Sequence, residues 1–149
     1  MNEHDFRTAI LAEAKLWLGT PYKNTGRMRG VGANCAQLLY GIYKGAGILP
    51  PDAPEPRWYS SQLHVHQKEE RLIEYIKSYG GIEIEQAEVK PADVIVFHTG
   101  KSHGHAAIVV DFPGTMIHTM QPQGCAFGHC TKEGQLQRFG RRYFTLWKS

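Results

Sequence analysis

Residues 30–47 read GVGANCAQLLYGIYKGAG, and the fold turns on how this stretch divides. Gly30 and Gly32 mark a turn, and Asn34 is a residue type favoured at helix N-caps. Leu38, Leu39, Ile42 and Tyr43 then recur at spacings of three and four, which predicts an amphipathic helix with Cys35 in its first turn. A helix start gathers unpaired N–H groups and partial positive charge, and both favour a thiolate over a thiol. A cysteine within an apolar helical pattern is, taken alone, more often a small, inert, buried residue. What the rest of the chain brings to the sulfur decides between the two.

Upstream, Phe6, Ile10, Leu11, Ala14, Trp17 and Leu18 keep the same spacing and predict a helix over about residues 4–18. Gly19 is placed to end it, and Pro21 forbids continuation. Downstream, LPPDAPEP (49–56) holds four prolines and reads as an extended surface connection. Leu72, Ile73, Ile76 and Tyr79 predict a third helix over 69–79, closed by Gly80 and Gly81. The pattern then changes to short β-branched and aromatic runs: DVIVF (93–97), AAIVV (106–110), TMIHTM (115–120) and RRYFTLW (141–147). Helices first and strands second predict an α+β fold with helices packed on one face of an antiparallel sheet. The chain has 149 residues, 42% of them hydrophobic, enough for one domain spanning 1–149.

A cysteine nucleophile needs a base within hydrogen-bond reach and a third group to hold that base. His105 stands directly before AAIVV, and His118 lies thirteen positions further on inside TMIHTM. If these are neighbouring antiparallel strands joined through DFPG, both rings reach the same end of one face, and His118 could orient His105. On the plainer reading His105 is a polar edge residue and His118 part of a solvated strand face.

The formal charge of +3 is dispersed, with mild crowding only at Arg27 and Arg29 and at Arg138, Arg141 and Arg142. No nucleic-acid motif accompanies it, so no nucleic-acid partner is expected. The opening residues, MNEHDFRTAI, lack a basic stretch followed by an apolar one, and no window approaches a membrane span. The expectation is a protein made in the cytoplasm without a signal peptide. Three cysteines make no disulfide framework, although Cys125 and Cys130 could pair. His98 and His103, with Cys125, His129 and Cys130 in GCAFGHC, invite a zinc reading, but the second ligand pair is missing. Neither metal nor cofactor is expected. His98 and His103 read as polar loop residues beside a cleft, and His64 and His66 as solvated surface.

Taken together, LGTPY (18–22), GVGANCAQLLYGIYKGAGILP (30–50), VKPADVIVF (89–97), HAAIVV (105–110) and MIHTM (116–120) resemble the NlpC-type cell-wall peptidases, a papain-like cysteine peptidase group. Within that group the resemblance is to the short phage and prophage members. The resemblance implies a papain-like NlpC fold, Cys35 as nucleophile, His105 as base and His118 as the third polar position. It further implies hydrolysis of an amide in peptidoglycan stem peptides, commonly the bond from γ-D-glutamyl to diaminopimelate or lysine. Tyr22 matches a family tyrosine near the nucleophile, and with Asn34 and the backbone at the helix start it is the candidate for oxyanion and substrate contacts. Phage tail-tip or hub proteins are the implied partners, with a virion-borne enzyme acting on the cell wall. The family usually carries Asp-Cys-Ser-Gly at the nucleophile, whereas this chain reads Asn34-Cys35-Ala36-Gln37. Asn34 can still cap the helix, and Gln37 is expected to add bulk near the cleft. The alternatives are another amidase or acyltransferase using the same thiol, and a tail structural module whose catalytic set has decayed.

Overall fold

The computed structural model describes residues 1–23, 27–30, 32–56 and 70–148. Helix α1 spans Glu3–Leu16, with the Asn2 side chain accepting from the Asp5 N–H at 2.8 Å. It stops two residues short of the predicted end, and the chain turns away through Gly19, whose φ of +88° suits glycine. Helix α2 spans Cys35–Gly45 and buries Leu38, Leu39, Ile42 and Tyr43. The two helices meet at Gly41, where a Cβ would lie 2.3 Å from the Trp17 indole. This helix-interior glycine is therefore a packing notch that offsets its poor helix propensity. Helix α3, Arg71–Ser78, buries Leu72, Ile73 and Ile76. Its predicted start at 69 lies outside the described residues, as do His64 and His66.

A two-stranded ribbon, β1 (Arg27–Met28) and β2 (Gly32–Ala33), leads into α2. The main sheet holds β3 (Ile82–Ile84), β4 (Val94–His98), β5 (His103–Val109), β6 (Thr115–Met120), β7 (Gly124–His129) and β8 (Gly140–Thr145). Its order is β3-β8-β4-β5-β6-β7, and every neighbouring pair is antiparallel. Strand β6 matches its predicted limits. Strand β5 begins at His103, so His105 lies inside the strand and not directly before it. Strands β3 and β7 were not predicted. The former is only three residues long, and GCAFGH becomes a strand through its pairing along all of β6.

Both faces of the sheet are covered, which is why β4 reads as a continuous apolar run. On the helical face Val94, Val96, Ala106, Ile108, Ile117 and Phe144 pack with the buried sides of the helices. The opposite face buries Ile95, Phe97, Ala107, Val109 and Met116 beneath Leu136, from a 3-10 turn at Gly134–Arg138, together with Phe112 and Phe139. Arg7 of α1 reaches the buried Asp93 carboxylate ahead of β4 at 2.7 Å and ties the helical layer to the sheet.

Candidate active site

The connection after α1 is held from both sides. The Gly19 N–H donates to the Cys125 carbonyl and the Cys125 N–H to the Thr20 carbonyl, each at 2.8 Å. On the other side the Ala33 N–H donates to the Pro21 carbonyl at 3.0 Å and the Lys23 N–H to the Ala33 carbonyl at 3.1 Å. Tyr22 is thereby fixed between β7 and the start of α2. Gly124 permits this, since a Cβ there would come within 2.6 Å of the Thr20 oxygen.

Asn34 has extended backbone, and its side chain accepts from the Gln37 N–H at 2.8 Å. It is a buried N-cap that sets where the helix begins, and hence where Cys35 stands. The first N–H groups of a helix have no intrahelical acceptor and carry its positive end, worth about 0.3–1 kcal/mol to an anion placed there. The Cys35 thiol donates to the Gly104 carbonyl oxygen of β5 at 3.5 Å. Cys35 then opens onto a groove of about 350 Å³ shared with Tyr22, Gly104 and His105.

Strands β5 and β6 are paired in register at Ile108 with Ile117 and at Val109 with Met116. Past that stretch His105 Nε2 and His118 Nδ1 meet at 2.9 Å, with ring planes 80° apart. Both rings are buried, and His105 sits opposite Phe97 in the register, its ring centroid 5.6 Å from the phenyl. Burial holds the His118 imidazole below its ordinary value, and the Glu133 carboxylate offsets part of that effect. His118 is therefore neutral at pH 7 and can hold a hydrogen bond without adding charge. Burial first, and then the neighbouring Cys35, push the Tyr22 phenol up to about 12, so its O–H stays available as a donor. A thiol, an imidazole with an occupied second nitrogen and a phenol O–H facing one groove can support attack on a carbonyl carbon.

Several expectations are corrected. Gln37 adds no bulk to the groove: its side chain is buried, and its amide donates to the Pro56 carbonyl and anchors the proline-rich segment. His98 and His103 are not loop residues. They end β4 and begin β5 as register partners, and His103 engages the Glu70 carboxylate through both its backbone N–H and its ring. Cys125 and Cys130 are free thiols, each packed in the apolar cluster of a different sheet face. The His129 ring accepts from the Thr131 and Lys132 N–H groups and so shapes a turn. Among the described residues no group of three or more His, Cys, Asp or Glu side chains is placed to hold a metal ion. No described helix is long and apolar enough to cross a membrane.

Most of the far wall of the groove lies outside the residues that the sequence pattern marks. Gln121, Gln135, Leu136 and Phe139 line it, as does Thr119, whose buried hydroxyl has no partner among the described residues. Residues 121–139 carry no apolar period that could have marked them.

No protein-family model and no curated protein matches the sequence. Among solved structures, the chain is similar to a lipoprotein-like protein of the NLP/P60 family from Staphylococcus aureus, with a TM-score of 0.61 and 23% identity. That match covers 95% of this chain but only 42% of the other. It is also similar to the P60 domain of an antigen from M. avium subspecies paratuberculosis, with a TM-score of 0.61, 14% identity and 98% of each chain covered. The α+β architecture built here, helices on one face of an antiparallel sheet, is the NLP/P60 fold.

Proposed function

We propose that this chain is a cysteine peptidase acting on the stem peptides of peptidoglycan. The observation that carries the reading is a thiol at a helix N-terminus sharing an open groove with an imidazole whose other nitrogen is held by a second imidazole. The Cys35 thiol gives its proton to His105, and its sulfur attacks the amide carbonyl carbon. Tyr22 O–H and N–H groups at the start of α2 receive the developing oxyanion. His105 then returns the proton to the departing amine, which leaves a thioester on Cys35. Water attacks that thioester with His105 as base, releasing the acid and restoring the thiol. His118 holds the ring of His105 through both half-reactions.

The substrate class rests on the sequence resemblance, which supports the bond from γ-D-glutamyl to diaminopimelate or lysine. The same resemblance supports a setting on a phage tail, with tail-tip or hub proteins as partners. The test is incubation of the protein and its Cys35→Ala variant with purified peptidoglycan and defined muropeptides, followed by mass analysis. A product absent from the variant, with the mass of a stem cut at that bond, is the expected result. A cysteine-dependent product in which the acyl group moves to an added amine would redirect the reading to an acyltransferase. No cysteine-dependent product from several wall types would leave a structural module.

A further inference from the structure

We propose that Glu133 is a positioning residue that fixes the proton on His118 and, through it, the tautomer of His105. This rests on the reading of Cys35 and His105 as a thiol–imidazole pair. The starting observation is Gly128 on β7. A Cβ there would lie 2.6 Å from His118 Nε2 and 3.0 Å from Glu133 Oε1. The ring edge and the carboxylate thus flank the same small space, separated by no more than the sum of those distances. The φ of Gly128 is outside the left-handed region, so the backbone makes no demand for glycine at this position. The close approach of the two side chains does.

Glu133 is held in place by its own turn. Its Oε1 accepts from the His129 N–H at 2.7 Å, while the His129 ring accepts from the N–H groups of Thr131 and Lys132 at 3.1 Å each. Among the described residues, the titratable groups facing His118 are His105 from β5 and Glu133 from the turn after β7.

A neutral imidazole carries one proton on two nitrogens, and a negative charge beside one of them favours the proton there. Glu133 therefore favours N–H at Nε2 of His118, which leaves Nδ1 as an acceptor. Because Nδ1 faces His105 Nε2 at 2.9 Å, His105 must donate from Nε2. The lone pair of His105 is then on Nδ1, the one ring nitrogen left to receive the thiol proton. With the opposite tautomer of His118, His105 would carry its proton on Nδ1 and could not act as the base.

The test is imidazole ¹⁵N NMR with pH titration, paired with iodoacetamide alkylation of Cys35, on the wild-type chain, Glu133→Ala, Glu133→Gln and Gly128→Ala. The wild type should show His118 protonated at Nε2. Glu133→Ala should mix the tautomers, lower the pH at which His118 titrates, and slow Cys35 alkylation at about pH 7 by up to about twofold, the loss when half the molecules hold the other tautomer. Glu133→Gln keeps an acceptor for the His129 N–H, and so the turn, while removing the charge; it should still lower the His118 titration. Gly128→Ala should disturb the His118 signals directly. His118 protonated at Nδ1 in the wild type, or His118 spectra unmoved by both Glu133 variants, would overturn the proposal. A His105→Ala variant that alkylates like wild type overturns the thiol–imidazole pair instead, and the His118 spectra distinguish the two failures.

Discussion

Cys35 and Cys125 are hidden to nearly the same degree, 6% and 3% exposed, and belong to the same apolar cluster. Their surroundings differ. Cys125 sits inside a strand, with its backbone engaged by Gly19 and Thr20, and burial pushes its thiol up to about 12. Cys35 opens a helix, faces a carbonyl of the neighbouring strand, and shares a groove with a phenol and an imidazole. Exposed area therefore does not separate the two thiols. Local dipoles and the neighbouring ionisable groups do.

The strongest way to break this comparison is to exchange the two fates. Cys35→Ala should abolish hydrolysis of muropeptides, a loss on the order of 10⁶ in turnover. Cys125→Ala should retain most of it, and equal losses in the two variants would end the distinction. Next in size, Tyr22→Phe removes one donor and should cost about 10²–10³ in rate with the fold unchanged, measured on the same substrates.

A third measurement needs no substrate. Under iodoacetamide at about pH 7, Cys35 should be labelled first. Cys125, and Cys130 with its thiol pushed up to about 11, should react only on denaturation. Peptide mass mapping reads the order, and early labelling of Cys125 would contradict it.

The smallest effect concerns stability. His118 is held neutral in the fold, while the unfolded chain takes up a proton near 6.5, so the unfolded state binds more protons as pH falls. Its contribution is fully present above about pH 6.5 and declines as pH drops toward the lowered folded value. His118→Asn should flatten that part of a urea-denaturation series against pH, whereas Cys125→Ala should leave the slope intact.

How much of this was legible follows from the range of the forces involved. The start of α2 could be read because an N-cap and an apolar period are local signals, and Asn34 caps where its type suggested. Strand β6 was readable for the same reason. Strand β7 was not, since GCAFGH owes its conformation to pairing with β6. The place of Gln37 is not a local signal, because the direction of its side chain depends on how α2 lies against Pro56, a contact nineteen residues away. The meeting of His105 with His118 could be anticipated from two strands and a turn. Glu133 could not, because a glycine on a third strand brings it there.

The two-sided lacing of residues 19–23 bears on how the groove would respond to temperature. Ordering a free loop costs roughly 1–2 kcal/mol per residue in backbone entropy, and a phenol carried on one would meet that cost again in every catalytic cycle. Here β7 and the approach to α2 settle the matter during folding. Warming should therefore leave the alignment of the phenol with the sulfur largely intact until the sheet itself melts.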